Sequence, residues 1–183
     1  MASKPKTLVL GVTGSIAAYK ACDVVSALRK SSRLKVHVVM SQGAKEFVSP
    51  LTFQTLSGNT VYSNPFERPE EWDLLHTSLA REANLVLIYP ATMNIIGKLA
   101  NGICDDLVTS VAFATKAPVW VAPAMNTQMY ENPATQRNLK ILKQSGVETI
   151  GPIRGELACR EVGLGHVIEP AQAVKLVRNK LRV

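Results

Sequence analysis

Thr7-Leu8-Val9-Leu10-Gly11-Val12-Thr13-Gly14-Ser15-Ile16-Ala17-Ala18 is where this chain declares its architecture. Thr7 to Val12 is a short apolar run bounded by Gly11 and Gly14, the pattern of a buried strand. Ala17, Ala18, Ala21, Val24, Val25 and Leu28 then recur at helical spacing and predict a helix from Ser15 to Lys30. Glycine at such a turn lets the backbone approach a ligand, and the N–H groups opening the next helix attract an anion. The spacing is not G-x-G-x-x-G, so the dinucleotide fingerprint fails. Taken alone, the stretch reads as a nucleotide or phosphate loop, or as a tight strand-to-helix turn.

The same alternation continues outward. Val36 to Met40, Leu85 to Tyr89 and Val119 to Ala122 read as further buried strands, the last two each preceded by a helix. Ala134 to Ser145 is amphipathic and stops at Gly146, Val147 to Ile150 is a last strand, and Ala171 to Leu181 a closing helix. Strands alternating with helices predict an α/β fold, a parallel sheet covered on both faces. The irregular stretches are Ser57 to Asp73 and Ile153 to Gly165. With 183 residues and no internal repeat, the expectation is one domain over 1–183.

Composition narrows the function classes. Hydrophobic residues are 46% and charged residues 19%, which suits a packed globular chain. No apolar run approaches the roughly 20 residues that span a bilayer, and the start Met1-Ala2-Ser3-Lys4-Pro5-Lys6 lacks a signal-peptide pattern, so a cytoplasmic protein without a membrane is expected. Net charge is +7, but the basic residues are scattered and aromatics are only 5%, which argues against nucleic acid and leaves room for a phosphorylated small molecule. Three cysteines without a C-x-x-C pair argue against a disulfide framework and against a metal site. Cys22 and Cys104, among apolar neighbours, read as core thiols; Cys159 lies in a polar loop.

Three further segments carry chemistry. The third strand runs into Pro90-Ala91-Thr92-Met93-Asn94-Ile95, small and polar residues where ligands of parallel sheets bind, although Thr92 as a plain N-cap fits equally well. Asp105 and Asp106 find no third ligand nearby and read as capping the next helix. The fourth strand ends in Ala122-Pro123-Ala124-Met125-Asn126-Thr127-Gln128-Met129-Tyr130, where the Asn126 amide suits a carboxylate and an Asx-turn is the plainer reading.

Together these loops resemble one family, the homo-oligomeric flavin-containing cysteine decarboxylases. Gly11 to Ala18 resembles its N-terminal flavin loop, and Pro90-Ala91-Thr92-Met93-Asn94 its Pro-Ala-Ser-Ala-Asn motif. Pro123 to Tyr130 resembles Pro-x-Met-Asn-x-x-Met-Trp, and Leu157-Ala158-Cys159 before Gly163-Leu164-Gly165 its Leu-Ala-Cys-Gly substrate loop. The resemblance covers nearly the whole chain in order and implies a three-layer Rossmann-like flavoprotein fold. It implies FMN held by Gly14, Ser15 and Ile16 on the phosphate side, Ser41 near the ribityl chain, then Thr92, Met93, Asn94, Ile95 and Ala124. It implies His76, in Leu75-His76-Thr77-Ser78-Leu79-Ala80-Arg81, as active-site histidine, Arg81 near a substrate phosphate and Asn126 on the substrate carboxylate; without it His76 and Arg81 would read as structural and solvated. His37 and His166 keep the structural reading.

The family's chemistry suits these residue types. Oxidation of the cysteine moiety at the carbon bearing sulfur creates an electron sink, carbon dioxide leaves, and an enethiolate remains. His76 would act as base or flavin-side partner. One branch then reduces the ene-thiol, with a cysteine as proton donor, turning 4'-phosphopantothenoylcysteine into 4'-phosphopantetheine for coenzyme A. The lantibiotic branch stops at the enethiol of a peptide C-terminal cysteine. Cys159 in its Leu-Ala-Cys setting points to the first branch. The resemblance also implies a homo-oligomer, a trimer or a dodecamer of trimers, with sites between subunits. Departures are Arg160 for glycine, Met93 and Ile95 for alanine and threonine, and Tyr130 for tryptophan. Bacterial relatives often carry a C-terminal synthetase domain, so the chain reads as stand-alone or as a fragment. A short-chain dehydrogenase lacks its Tyr-x-x-x-Lys here, and a flavin-binding regulatory subunit lacks its acidic tail.

Overall fold

The structure is a computed structural model that describes residues 5–64, 66 and 74–183. In chain order the elements are β1 (Lys6–Val12), α1 (Ala18–Arg29), β2 (Leu34–Met40), α2 (Gln42–Lys45), α3 (Pro50–Ser57) and β3 (Val61–Tyr62). They continue with α4 (Leu75–Glu82), β4 (Leu85–Ala91), α5 (Met93–Ala100), α6 (Leu107–Ala114), β5 (Val119–Pro123) and α7 (Thr127–Glu131). The last are α8 (Pro133–Gln144), β6 (Glu148–Thr149), β7 (Ile153–Glu156), β8 (Val162–His166) and α9 (Pro170–Leu181).

Six parallel strands form one sheet in the order β3-β2-β1-β4-β5-β6. The apolar runs that predicted buried strands divide by the strand period of two. Leu8, Leu10, Val12, Leu85, Leu87 and Tyr89 join the core under α1, α3 and α9. Val9, Val86 and Ile88 point the other way, into the core shared with α4, α5, α6 and α8. Gly11 is packed rather than ligand-facing, since a Cβ there would meet Val108 Cγ1 at 2.9 Å. The chain reverses its direction of travel across the sheet between β1 and β4, and ligands of such sheets bind at that switch point, outside the strands' carboxyl ends.

Several expectations need correction. The first helix starts at Ala18, not Ser15; Ser15 to Ala17 form a turn in which Ala18 N donates to Ser15 O and Ala17 N to Ser15 Oγ. Of the stretch expected to be irregular from Ser57 to Asp73, Ser57 ends α3 and Val61–Tyr62 pair with β2; residues 65 and 67–73 lie outside the described residues, as do residues 1–4 of the N-terminus. The stretch expected to be irregular from Ile153 to Gly165 is an antiparallel hairpin, β7 with β8. Its alternation was hidden because glycines 155, 163 and 165 carry no side chain. Cys104 is exposed and so is not a core thiol, whereas Cys22 is half-buried and packs against the core under α1, α3 and α9. Asp106 does cap α6, in a capping box with Thr109. Among the described residues, no helix is long and apolar enough to cross a membrane.

Candidate active site

A cleft of about 1090 Å³ opens at the switch point. Its walls are the loops following β1, β2, β4 and β5 and the tip of the β7–β8 hairpin. Hydrogen bonds lace these loops together. Buried Thr13 donates from Oγ1 to Pro90 O (2.7 Å) and accepts from Thr92 N (3.1 Å). Ala124 N donates to Ala91 O (3.0 Å), Met125 N to Gly165 O (3.0 Å), and Ser41 N to Val12 O (2.9 Å).

Every residue expected to hold a flavin lines this cleft: Gly14, Ser15, Ile16, Ser41, Thr92, Met93, Asn94, Ile95 and Ala124. Gly14 crosses the backbone of Gly43, where a Cβ would meet carbon and oxygen at 3.0 to 3.2 Å, so only bare backbone fits that wall. Thr92 is the N-cap of α5, its hydroxyl accepting from Ile95 N (3.4 Å), and it also lines the cleft. Ser41 likewise accepts from Ala44 N (3.3 Å) and caps α2. The small residues, bare backbone and hydroxyls at the sheet's switch point fit a phosphorylated planar cofactor.

Asn126 also caps a helix while lining the cleft. Its Oδ1 accepts from Gln128 N (2.8 Å) and caps α7, which orients the amide so that Nδ2 faces Cys159 Sγ at 3.7 Å. The thiol in turn donates to Glu161 Oε2 at 3.5 Å. Cys159 is the middle residue of the hairpin turn. Arg160 N donates to Leu157 O and Leu157 N to Glu161 O, both at 2.8 Å, and Arg160 has φ +63°. This is a three-residue loop whose last residue sits in the left-handed region as a bulge, a position that suits glycine. The glycine that the resemblance expects at Arg160 therefore has a conformational reason, and the arginine here adopts the same conformation with a Cβ.

His76 and Arg81 do not line the cleft. His76 is half-buried on the first turn of α4, and Arg81 is exposed on its last, its Nε donating to Thr77 O (3.4 Å). Cleft residues that were not anticipated include Lys20 and Lys98, and Thr13 was placed in the loop without a role of its own. The Lys98 ammonium bridges Asp105 (2.6 Å) and Asp106 (2.9 Å). Burial pushes the Asp106 carboxyl up, but the Thr109 amide and Lys98 outweigh it and hold it below the usual carboxylate range. A lone lysine on a helix gives no signal of this in sequence. His166, read as structural, also lines the cleft, 2.8 Å from Lys20. Among the described residues, no group of three His, Cys, Asp or Glu is placed to hold a metal ion.

A flavin is the cofactor class that this geometry and the chain's relatives share. The chain matches the Flavoprotein family over residues 1–182 and belongs to it. It is 47% identical over 174 residues to the coenzyme A biosynthesis bifunctional protein CoaBC of Bacillus subtilis (strain 168), covering 95% of this chain and 43% of that protein. The chain thus spans less than half the length of that relative. It is 43% identical over 178 residues to a probable phosphopantothenoylcysteine decarboxylase of Streptococcus mutans, covering 96% of this chain and 99% of the relative. Among solved structures, a cysteine-to-serine mutant of PPC decarboxylase complexed with pantothenoylaminoethenethiol superposes with TM-score 0.89 at 31% identity, covering 99% and 100% of the two chains. The FMN binding protein AtHal3 superposes with TM-score 0.84 at 32% identity, covering 97% and 96%.

Proposed function

We propose that the chain is an FMN-dependent carboxy-lyase domain that converts 4'-phosphopantothenoylcysteine to 4'-phosphopantetheine. The carrying observation is the meeting of the Asn126 amide and the Cys159 thiol, 3.7 Å apart, at the cleft lined by the flavin loops. These residues come from different elements, and a carboxylate anchor beside a proton donor is what a decarboxylation of cysteine, redox-neutral overall and passing through an unsaturated thiol, needs. Bound FMN supplies the two-electron oxidation that makes the sulfur-bearing carbon an electron sink, and later the hydride that saturates the product.

The chain's own residues do the rest. Gly14, Ser15 and Ile16, with Ser41, hold the phosphate and ribityl end, and Thr92 to Ile95 and Ala124 the ring. Asn126 Nδ2 leaves the sulfur of Cys159 to donate to the substrate carboxylate, while Oδ1 stays on Gln128 and keeps the amide aimed. Cys159 gives its proton to the unsaturated thiol. His76 and Arg81 stand outside their own chain's cleft, so a neighbouring subunit of a homo-oligomer would bring them to it.

Cys159→Ser tests the reading, because a serine hydroxyl is similar in size and far less acidic. Chromophore released by heating should run as FMN. Wild-type protein should return to oxidised flavin and saturated product; the variant should decarboxylate, keep reduced flavin under anaerobic conditions and accumulate a product short of two hydrogens. If the wild type also stops at the unsaturated thiol, or acts only on peptides ending in cysteine, the lantibiotic-type activity replaces this assignment.

A further inference from the structure

Lys98 stands in the cleft wall one turn of α5 beyond Asn94, about 6 Å further along the helix and on the same face. Its side chain is only 18% exposed, so its charge needs partners. It has two, and both line the cleft with it: Asp105, in the loop after α5, and Asp106, the N-cap of α6. Burial pulls the Lys98 ammonium down, but the two carboxylates outweigh it and hold it above its ordinary value. Lys98 and Asp106 thus keep their charges through the neutral range.

A lysine in the last turn of a helix has an ordinary structural use, because the helix dipole favours a cation there. Nothing in that use requires the cleft. Asp105 is not the N-cap of α6, and its side chain is 57% exposed, yet it too lines the cleft. Among the described residues lining the cleft, the other formal charges are Lys20, on α1, and Glu156, on β7. Lys98 and its partners belong instead to the segment that follows Thr92 to Ile95, the residues proposed to hold the flavin ring. Accepting a hydride gives a neutral ring one negative charge. Fixed charges nearby therefore weight the reduced ring against the oxidised one, and they act strongly in a cleft that excludes water.

We propose that the cluster of Lys98, Asp105 and Asp106 sets the reduction potential of the flavin, the ammonium favouring the reduced ring and the carboxylates opposing it. The inference rests on the flavin reading of the cleft and not on the identity of the substrate. For the proposed reaction the flavin must take a hydride and return it within one turnover. Its potential then has to lie between those of the two half-reactions, and fixed charges of both signs give such a middle value.

The test is the potential of the flavin-loaded protein, measured anaerobically against reference dyes at low ionic strength, where charges are least screened. Lys98→Met should lower it by about 30 mV, a tenfold change in the two-electron equilibrium constant. Lys98→Arg keeps the charge and should stay near wild type. Asp105→Asn removes one opposing charge and should raise the potential, by less than about tenfold in that constant because the carboxylate is more than half exposed. That substitution leaves the α6 cap in place, so it reads the charge even if Lys98→Met fails to fold. A clamp that only ties the loop to α5 would shift Tm without moving the two potentials in opposite directions. Potentials that stay at the wild-type value, or that move the same way in both variants, would overturn the proposal and leave the flavin reading intact. A wild type that takes up no flavin would overturn both.

Discussion

Gly165→Ala is the sharpest probe of how the hairpin is seated. Gly165 has φ +142°, and a Cβ there would run into Met125 O, the carbonyl just ahead of Asn126. The backbone conformation alone costs about 1–3 kcal/mol for a residue with a Cβ. Pushing a carbonyl aside in a packed loop adds about 1–3 kcal/mol. Moving it also strains the Met125 N to Gly165 O bond of 3.0 Å, worth about 1 kcal/mol. A loss near the middle of these ranges is about 5 kcal/mol, which lowers Tm by about 10–20 °C for a chain of this size. Gly102→Ala is the control: φ is +71° with nothing within 4 Å of the added Cβ, so only the conformational part, about 1 kcal/mol, applies. Thermal melts of both variants separate the terms. Because Met125 leads into Asn126, Gly165→Ala should also part the amide from the Cys159 thiol and shift the product toward the unsaturated thiol. Equal, small falls in Tm for the two variants, with wild-type product, would refute the seating argument.

Arg160→Gly relieves a left-handed φ of +63° and should raise stability by up to about 1 kcal/mol, seen as a modest rise in Tm. Asp106→Ala removes the α6 cap and half of the Lys98 clamp and should cost about 1–2 kcal/mol in urea unfolding. Burial, then Lys35, holds the His37 imidazole below its ordinary value, against a smaller upward pull from Glu82. The unfolded chain therefore binds this proton more readily, and stability is lost as pH falls through about 6.5 towards the folded value. Melts at pH 7.5 and 5.5 should differ less in His37→Leu than in wild type; an unchanged difference would clear His37.

The parallel sheet was legible because its strands are buried on both faces and so appear as unbroken apolar runs, Leu8 to Val12 and Leu85 to Tyr89 among them. The hairpin was not, since Gly155, Gly163 and Gly165 erase the alternation that marks a strand. Asn126 and Thr92 looked ambiguous between capping and binding because one atom of each caps while the residue as a whole faces the cleft. Cys104 was misjudged from its apolar neighbours, for burial depends on what packs over a loop and not on adjacent letters. Lys20 was invisible: its partners, His166 and Glu169, lie 146 and 149 residues away. Loop by loop the sequence spelled the cleft wall, while the charged partners that come together across the fold needed the structure.

The Thr13 hydroxyl, bonded to the carbonyl of Pro90 and the amide of Thr92, makes the loops after β1 and β4 a single piece before any cofactor arrives. A cleft already laced shut along its floor has little ordering left to do. Flavin binding to the apoprotein should then carry a heat-capacity change no larger than the apolar area of the ring itself accounts for, because no segment has to fold around it. Cutting the lace with Thr13→Val would hand that ordering back to the binding step, and calorimetry would read it as a larger negative heat-capacity change at weaker affinity.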